Sequence, residues 1–162
     1  MNVLKTNHIN VEKNKSIVKI TLKGNSPPTF ILIVFSLSII ISFSIPIIVS
    51  FLIISEGGFH IGLLFSFGLC WAITAYLSKI MLWNFYGKEH IWFDDEVIYY
   101  QADYKYFKGN IQSIPFSDSD IGYIEQDDNI GQLHLINGES ELLSVIKIPL
   151  PELESLKNII SQ

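Results

Sequence analysis

Thr29 to Ile54 reads TFILIVFSLSIIISFSIPIIVSFLII, 26 residues without a charge. A helix needs about 20 apolar residues to cross a hydrocarbon layer about 30 Å thick, so this run spans a bilayer with some tilt. Its serines and threonine dilute the apolar character little, because each hydroxyl can bond back to its own helix. Pro46 removes a backbone donor inside the run and is expected to kink it. A buried core helix is the competing reading, but a 162-residue chain builds no core large enough to hide such a segment. A secretory leader is rejected as well. The run starts after 28 residues, is too long for a leader's apolar core, and is followed at once by another apolar run.

That second run covers Ile61–Leu77 and continues through Ser78, Lys79 and IMLW to residue 83. Lys79 lies late enough to snorkel to the interface. Trp83, Phe85 and Tyr86 have the composition of an interfacial aromatic belt. Between the runs lies SEGGFH, where Gly57-Gly58 permits a tight turn. The expected domains are therefore an N-terminal cytoplasmic segment 1–28, a transmembrane helical hairpin 29–86 (spans 29–54 and 61–83), and a cytoplasmic domain 87–162.

Lysines set the expected orientation. Residues 1–28 carry five lysines against one glutamate, the inter-helix turn carries Glu56 and no lysine, and Lys79 and Lys88 flank the second span. The positive-inside rule then places both termini of a multi-pass protein in the cytoplasm. Residues 84–162 hold fourteen acidic residues against five lysines, and the chain contains no arginine. An acidic domain without arginine argues against a nucleic-acid partner.

From Lys88 the pattern changes to short β-branched and aromatic runs separated by turn residues. Strands are expected at Ile91–Phe93, Val97–Ala102, Tyr104–Lys108, Ile111–Phe116, Ile121–Gln126, Gln132–Ile136 and Glu141–Ile148. Turns are expected at Asp94-Asp95, Gly109-Asn110, Asp127-Asp128 and Asn137-Gly138. The closing PLPELESLKNIISQ reads as a helix: Pro151 suits its first turn, Glu152 and Glu154 suit its positive end, and Leu153, Leu156, Ile159 and Ile160 recur at helical spacing. Upstream, INVEKNKSIVKITLKG suggests two strands around Asn14-Lys15, expected to dock as a hairpin on an edge of the later domain. The fold class is α+β: a two-helix transmembrane hairpin plus a small antiparallel β-barrel plugged by a C-terminal helix.

Two spans, then WNFYGKEHIWFDDEVIYYQADY, then a meander and a terminal helix, resemble bacterial two-span proteins with a pleckstrin-homology-like (PH-like) cytoplasmic domain, such as the YcxB-like family. The resemblance covers residues 29 to 162 and implies a PH-like fold. It carries over no catalytic residue.

No catalytic, cofactor-binding or metal-binding residue is assigned. The four histidines lack ligand spacing, the phosphate-loop and nucleophile-elbow motifs are absent, and Cys70 lies inside the second span. The acidic clusters fit solvated turns, without the spacing of a calcium loop. Uncharged spans argue against a pump. An oligomeric pore is still open, since Ser36, Ser38, Ser42 and Ser44 could line a helix face or contact another chain, and Ser38 and Ser42, four apart, permit close helix packing. The segment YQADYKYFKGN gives a membrane-proximal or partner surface formed by Tyr104, Lys105, Phe107 and Lys108. Strand alternation would put Tyr104 and Tyr106 on one face and Lys105 and Phe107 on the other. Specific phosphoinositide binding is not expected, since only two lysines of this domain lie close together in sequence. The expected function is non-enzymatic: a membrane-anchored interaction module in contact with the lipid bilayer and with a protein partner or further copies of itself. The alternatives are an immunity or protective protein against a membrane-active toxin, or a subunit of an oligomeric channel or transporter.

Overall fold

The computed structural model describes residues 2–14, 17–55, 61–94, 96–117, 119–127, 129–138 and 140–160. The turn expected at Gly57-Gly58 lies outside them, as do Lys15, Asp95 and Asp128 of three other expected turns. The chain forms two compact units, one of Met1–Asn25 with Tyr86–Gln162 and one of Ser26–Phe85.

The Ser26–Phe85 unit is helical. Helix α1 (Thr29–Ser55) and helix α2 (Ile61–Tyr86) are both long and apolar enough to cross a membrane. Helix α2 runs through Tyr86, so Trp83 and Phe85 lie on the helix. Each helix has one buried residue, Pro46 in α1 and Leu63 in α2. The large apolar side chains around them are open, with Phe30 at 72% and Phe51 at 74% exposure. Exposed apolar surface of this kind marks contact with another protein or with a membrane.

Strands on both sides of the helices form the other unit. Three precede α1: β1 (Asn2–Lys5), β2 (Ile9–Asn14) and β3 (Ile17–Lys23). Seven follow α2: β4 (Lys88–Asp94), β5 (Val97–Asp103), β6 (Gln112–Pro115), β7 (Asp120–Asp127), β8 (Ile130–Asn137), β9 (Ser140–Leu143) and β10 (Ile148–Pro149). Strands β1 to β6 make one antiparallel sheet in sequence order. Strand β3 therefore pairs with β4 although both helices lie between them in sequence, with Lys23 opposite Lys88 and Val18 opposite Phe93. In the second sheet β8 is central, flanked by β7 on one side and by β9 and β10 on the other. Helix α3 (Leu150–Ile160) buries Leu153 and Leu156.

Period-two alternation builds the core. Ile9 and Val11, Ile20 and Leu22, Ile91, Ile98 and Tyr100 line the buried side of the first sheet. Leu133, Leu135, Leu142 and Ile148 do so for the second, with α3 alongside.

Three expectations need correction. The sheets do not close into a barrel: among the described residues no ladder joins β6 to β7. Strand β6 ends at Pro115, which has no N–H to continue a ladder. The chain then turns, with Ser119 N donating to Phe116 O at 3.1 Å. Asn137 Nδ2 holds that corner by donating to Pro115 O at 2.9 Å. Second, Glu141–Ile148 is not one strand. It bends after β9, where Ser144 N donates to Leu133 O at 2.8 Å. Third, Tyr104–Lys108 is a turn rather than a strand. Asp103 Oδ1 accepts from Lys105 N at 2.8 Å, Lys105 takes a φ of 77°, and the isolated bridge Asp103–Lys108 closes the loop. A side chain capturing a nearby backbone N–H offers an alternative to the ladder, and here it wins over the β-propensity of the aromatics.

Candidate functional site

The residues singled out in the sequence, Tyr104, Lys105, Phe107 and Lys108, lie on one tight turn, and the turn changes what they can do. Tyr104 N donates to Phe107 O at 3.0 Å, and the two rings stack with centroids 4.5 Å apart. A straight strand would have put them on opposite faces. Lys105 folds back so that its Nζ lies 3.9 Å from the centre of the Tyr86 ring and 5.3 Å from that of Tyr106. The cation meets the negative face of each ring. Tyr106 at 73% and Phe107 at 42% exposure present apolar surface to the surroundings. Tyr86, the last residue of α2, belongs to the β unit, so this contact lies within that unit.

The strand register adds residues that sequence reading did not connect. Lys23, Lys88 and Asp103 stand opposite one another along β3, β4 and β5, and Lys108 bridges to Asp103. Cross-strand partners share a face with Cβ atoms about 5 Å apart, and like charges directly opposite are destabilising. Asp103 offsets part of this repulsion. Its carboxyl is held below the ordinary range: burial opposes this, but Lys105 N, His90 and Lys108 outweigh it. Lys23, Lys88, Lys105 and Lys108 are all exposed. This end of the sheet leads into α1 after Lys23 and follows α2 before Lys88.

Two polar clusters lie elsewhere in the same unit. Glu89 is fully buried, in phase with Ile91 on β4. Its Oε1 accepts from Tyr100 OH at 2.8 Å and Val145 N at 2.7 Å, while its Oε2 has no hydrogen-bond partner. Burial raises its pKa, and the bonds from Tyr100 and the Val145 and Ile146 backbone pull it partly back. Burial and the facing carboxylate push the Tyr100 hydroxyl well up. This carboxylate ties the first sheet to the bend between β9 and β10.

The second cluster joins chain segments far apart in sequence. His8 Nδ1 lies 2.8 Å from Glu152 Oε1 on α3, and His8 Nε2 lies 2.8 Å from Asn25 Oδ1. Thr6 Oγ1 donates to the other Glu152 oxygen. Burial disfavours the protonated ring and Lys23 opposes it, but Glu152 and Asn25 outweigh them and the pKa is raised. Both ring nitrogens lie within hydrogen-bond reach of an oxygen acceptor, which the protonated ring, a donor at both nitrogens, satisfies. His90 is opposite in kind: burial and Lys19 lower its pKa, and Asp103 and Thr21 hold the ring. Among the described residues no three His, Cys, Asp or Glu side chains converge as a metal site.

In the helical unit, Ser42 Oγ donates to Cys70 O at 3.1 Å, and Thr74 Oγ1 lies 3.1 Å from Ser42 Oγ. Ser36 faces Met81, and Phe43 stacks on Trp71 at 6.2 Å. These groups pack α1 on α2, whereas Ser38 bonds back to Val34 O of its own helix.

No protein-family model matches the chain, and no curated protein matches it.

Proposed function

We propose that this protein is a membrane-anchored, non-enzymatic interaction module of a bacterial inner membrane, with α1 and α2 crossing the bilayer and a PH-like cytoplasmic domain binding a protein partner. One observation carries the reading: β3 and β4, which flank the helices in sequence, are paired in one sheet. Two crossings then begin and end at neighbouring strands, so both termini belong on one side. The lysine distribution assigns that side to the cytoplasm. The open flanks of both helices support lipid as their surrounding.

For the PH-like character, support comes from seven strands after the helices followed by a terminal helix, the order that the resemblance implies. For a protein partner, support comes from β7. It is eight residues long and, among the described residues, pairs only with β8, which leaves an edge open to an added strand. The test is purification of the tagged full chain from membranes in mild detergent, with mass spectrometry. The reading predicts resistance of the membrane-bound chain to alkaline extraction and a stoichiometric protein partner. Release by alkali defeats the anchor. A homogeneous oligomer without another protein defeats the partner and favours a channel-like assembly.

A further inference from the structure

We propose that the end of the six-stranded sheet where the chain leaves β3 for α1 and enters β4 after α2 is a contact surface for anionic phospholipid headgroups, a proposal that rests on the membrane-anchored reading. Three features meet there. Four exposed lysines gather from sequence positions up to 85 residues apart: Lys23, Lys88, Lys105 and Lys108. Lys23 and Lys88 stand directly opposite each other, a juxtaposition that destabilises the sheet in the absence of an anion. Beside them, Tyr106 and Phe107 protrude from a turn whose Lys105 lies against Tyr86. Amphipathic aromatic rings with lysines are the composition that settles at headgroup level.

Continuity argues for the bilayer as occupant rather than a soluble anion. Tyr86 ends a helix long and apolar enough to cross, so a bilayer around α2 brings headgroups to Tyr86 and thus to the Lys105 turn. The acids at this end are engaged or buried: Asp103 is held by Lys105 N and His90, Glu152 by His8 and Thr6, and Glu89 lies in the core on the opposite face of β4. Asp94 and Glu96 lie at the other end of β4 and β5, six residues away along β4, roughly 20 Å at strand rise. Acids that far away, beyond a Debye length of about 8–10 Å, are largely screened, so the chain's acidic net charge does not bar this end from an anionic surface.

The test uses the full chain with Cys70→Ala and an environment-sensitive fluorophore on Asn110→Cys, in lipid nanodiscs of phosphatidylcholine with or without phosphatidylglycerol. The proposal predicts a blue-shifted emission only in discs containing phosphatidylglycerol, reversed by high salt. Each lysine near an anionic surface favours the docked state about five-fold, so K105Q/K108Q should lower docking about 25-fold. The quadruple variant with K23Q and K88Q should abolish the shift. Equal emission in both lipids, or a shift that survives in the quadruple variant, overturns the proposal. Co-elution with the discs judges the anchor separately: a chain that leaves the discs defeats the anchored reading, and one that stays without a shift defeats the headgroup contact alone.

Discussion

Replacing Tyr100 by Phe removes one donor from a buried carboxylate, and the cost should depend on pH. Glu89 Oε1 is served by Tyr100 OH and Val145 N, and Oε2 by nothing. Burial lifts the folded-state pKa of Glu89 above its ordinary value of 4.5. The folded chain thus retains a proton in a window where the unfolded chain has lost it. The stability tied to Glu89 is fully present below that ordinary value and is lost as pH rises through the folded pKa. While Glu89 is protonated, losing the Tyr100 bond costs about 1 kcal/mol. Once it is ionised, losing a charge-assisted bond costs about 2 kcal/mol. The destabilisation by Tyr100→Phe should therefore stay near its lower value throughout that window and grow by about 1 kcal/mol, slightly less than one pKa unit, as pH rises through the folded pKa and Glu89 ionises. Hydrogen exchange of β4 and β5 amides in mild detergent, corrected for intrinsic rates, reads this directly. A cost that is flat with pH, or larger on the acidic side, would refute the assignment of that hydrogen bond.

Two other substitutions probe different parts of the β unit. Glu152→Gln should remove about 1 kcal/mol of stability between the Glu152 and His8 titrations. Burial opposes the lowered Glu152 pKa, but Thr6 and His8 outweigh it, so its contribution is lost as pH falls through that pKa; the His8 contribution is lost as pH rises above 6.5 and through the raised folded value. Melting curves should show this pH dependence in the native chain and a flatter one in the variant. Gly131→Ala should cost about 1–3 kcal/mol, because a Cβ there would lie 3.0 Å from Ile124 O, 3.0 Å from Leu150 Cδ2 and 3.1 Å from Leu153 Cδ1, forcing α3 away from β8. Faster exchange of α3 amides would accompany it.

The two apolar helices were legible because hydropathy is read along the chain without knowledge of any partner. Helix α3 was legible through its leucine spacing and Pro151. The turn at Lys105 was not, because a positive φ at a non-glycine residue is set by the Asp103 side chain, and the aromatic run argues for a strand. Glu89 was within reach: it is in phase with Ile91, a pattern that predicts an inward carboxylate. No local signal connects His8 to Glu152 or Lys23 to Lys88, since register across the 64 positions between those two lysines is fixed only when β3 finds β4. The closed barrel was the cost of counting strands, because a count does not reveal that Pro115 ends a ladder.

Single-cysteine labelling in a Cys70→Ala chain, with a membrane-impermeant maleimide on intact cells, tests the central claim that the paired strands hold both ends of a two-helix hairpin on one side. Cysteines at Lys19 and Asn158 should react only after permeabilisation, and a cysteine at Gly57 should react on intact cells. Labelling of Gly57 from the same side as Lys19 and Asn158, or of Lys19 and Asn158 from opposite sides, would contradict it.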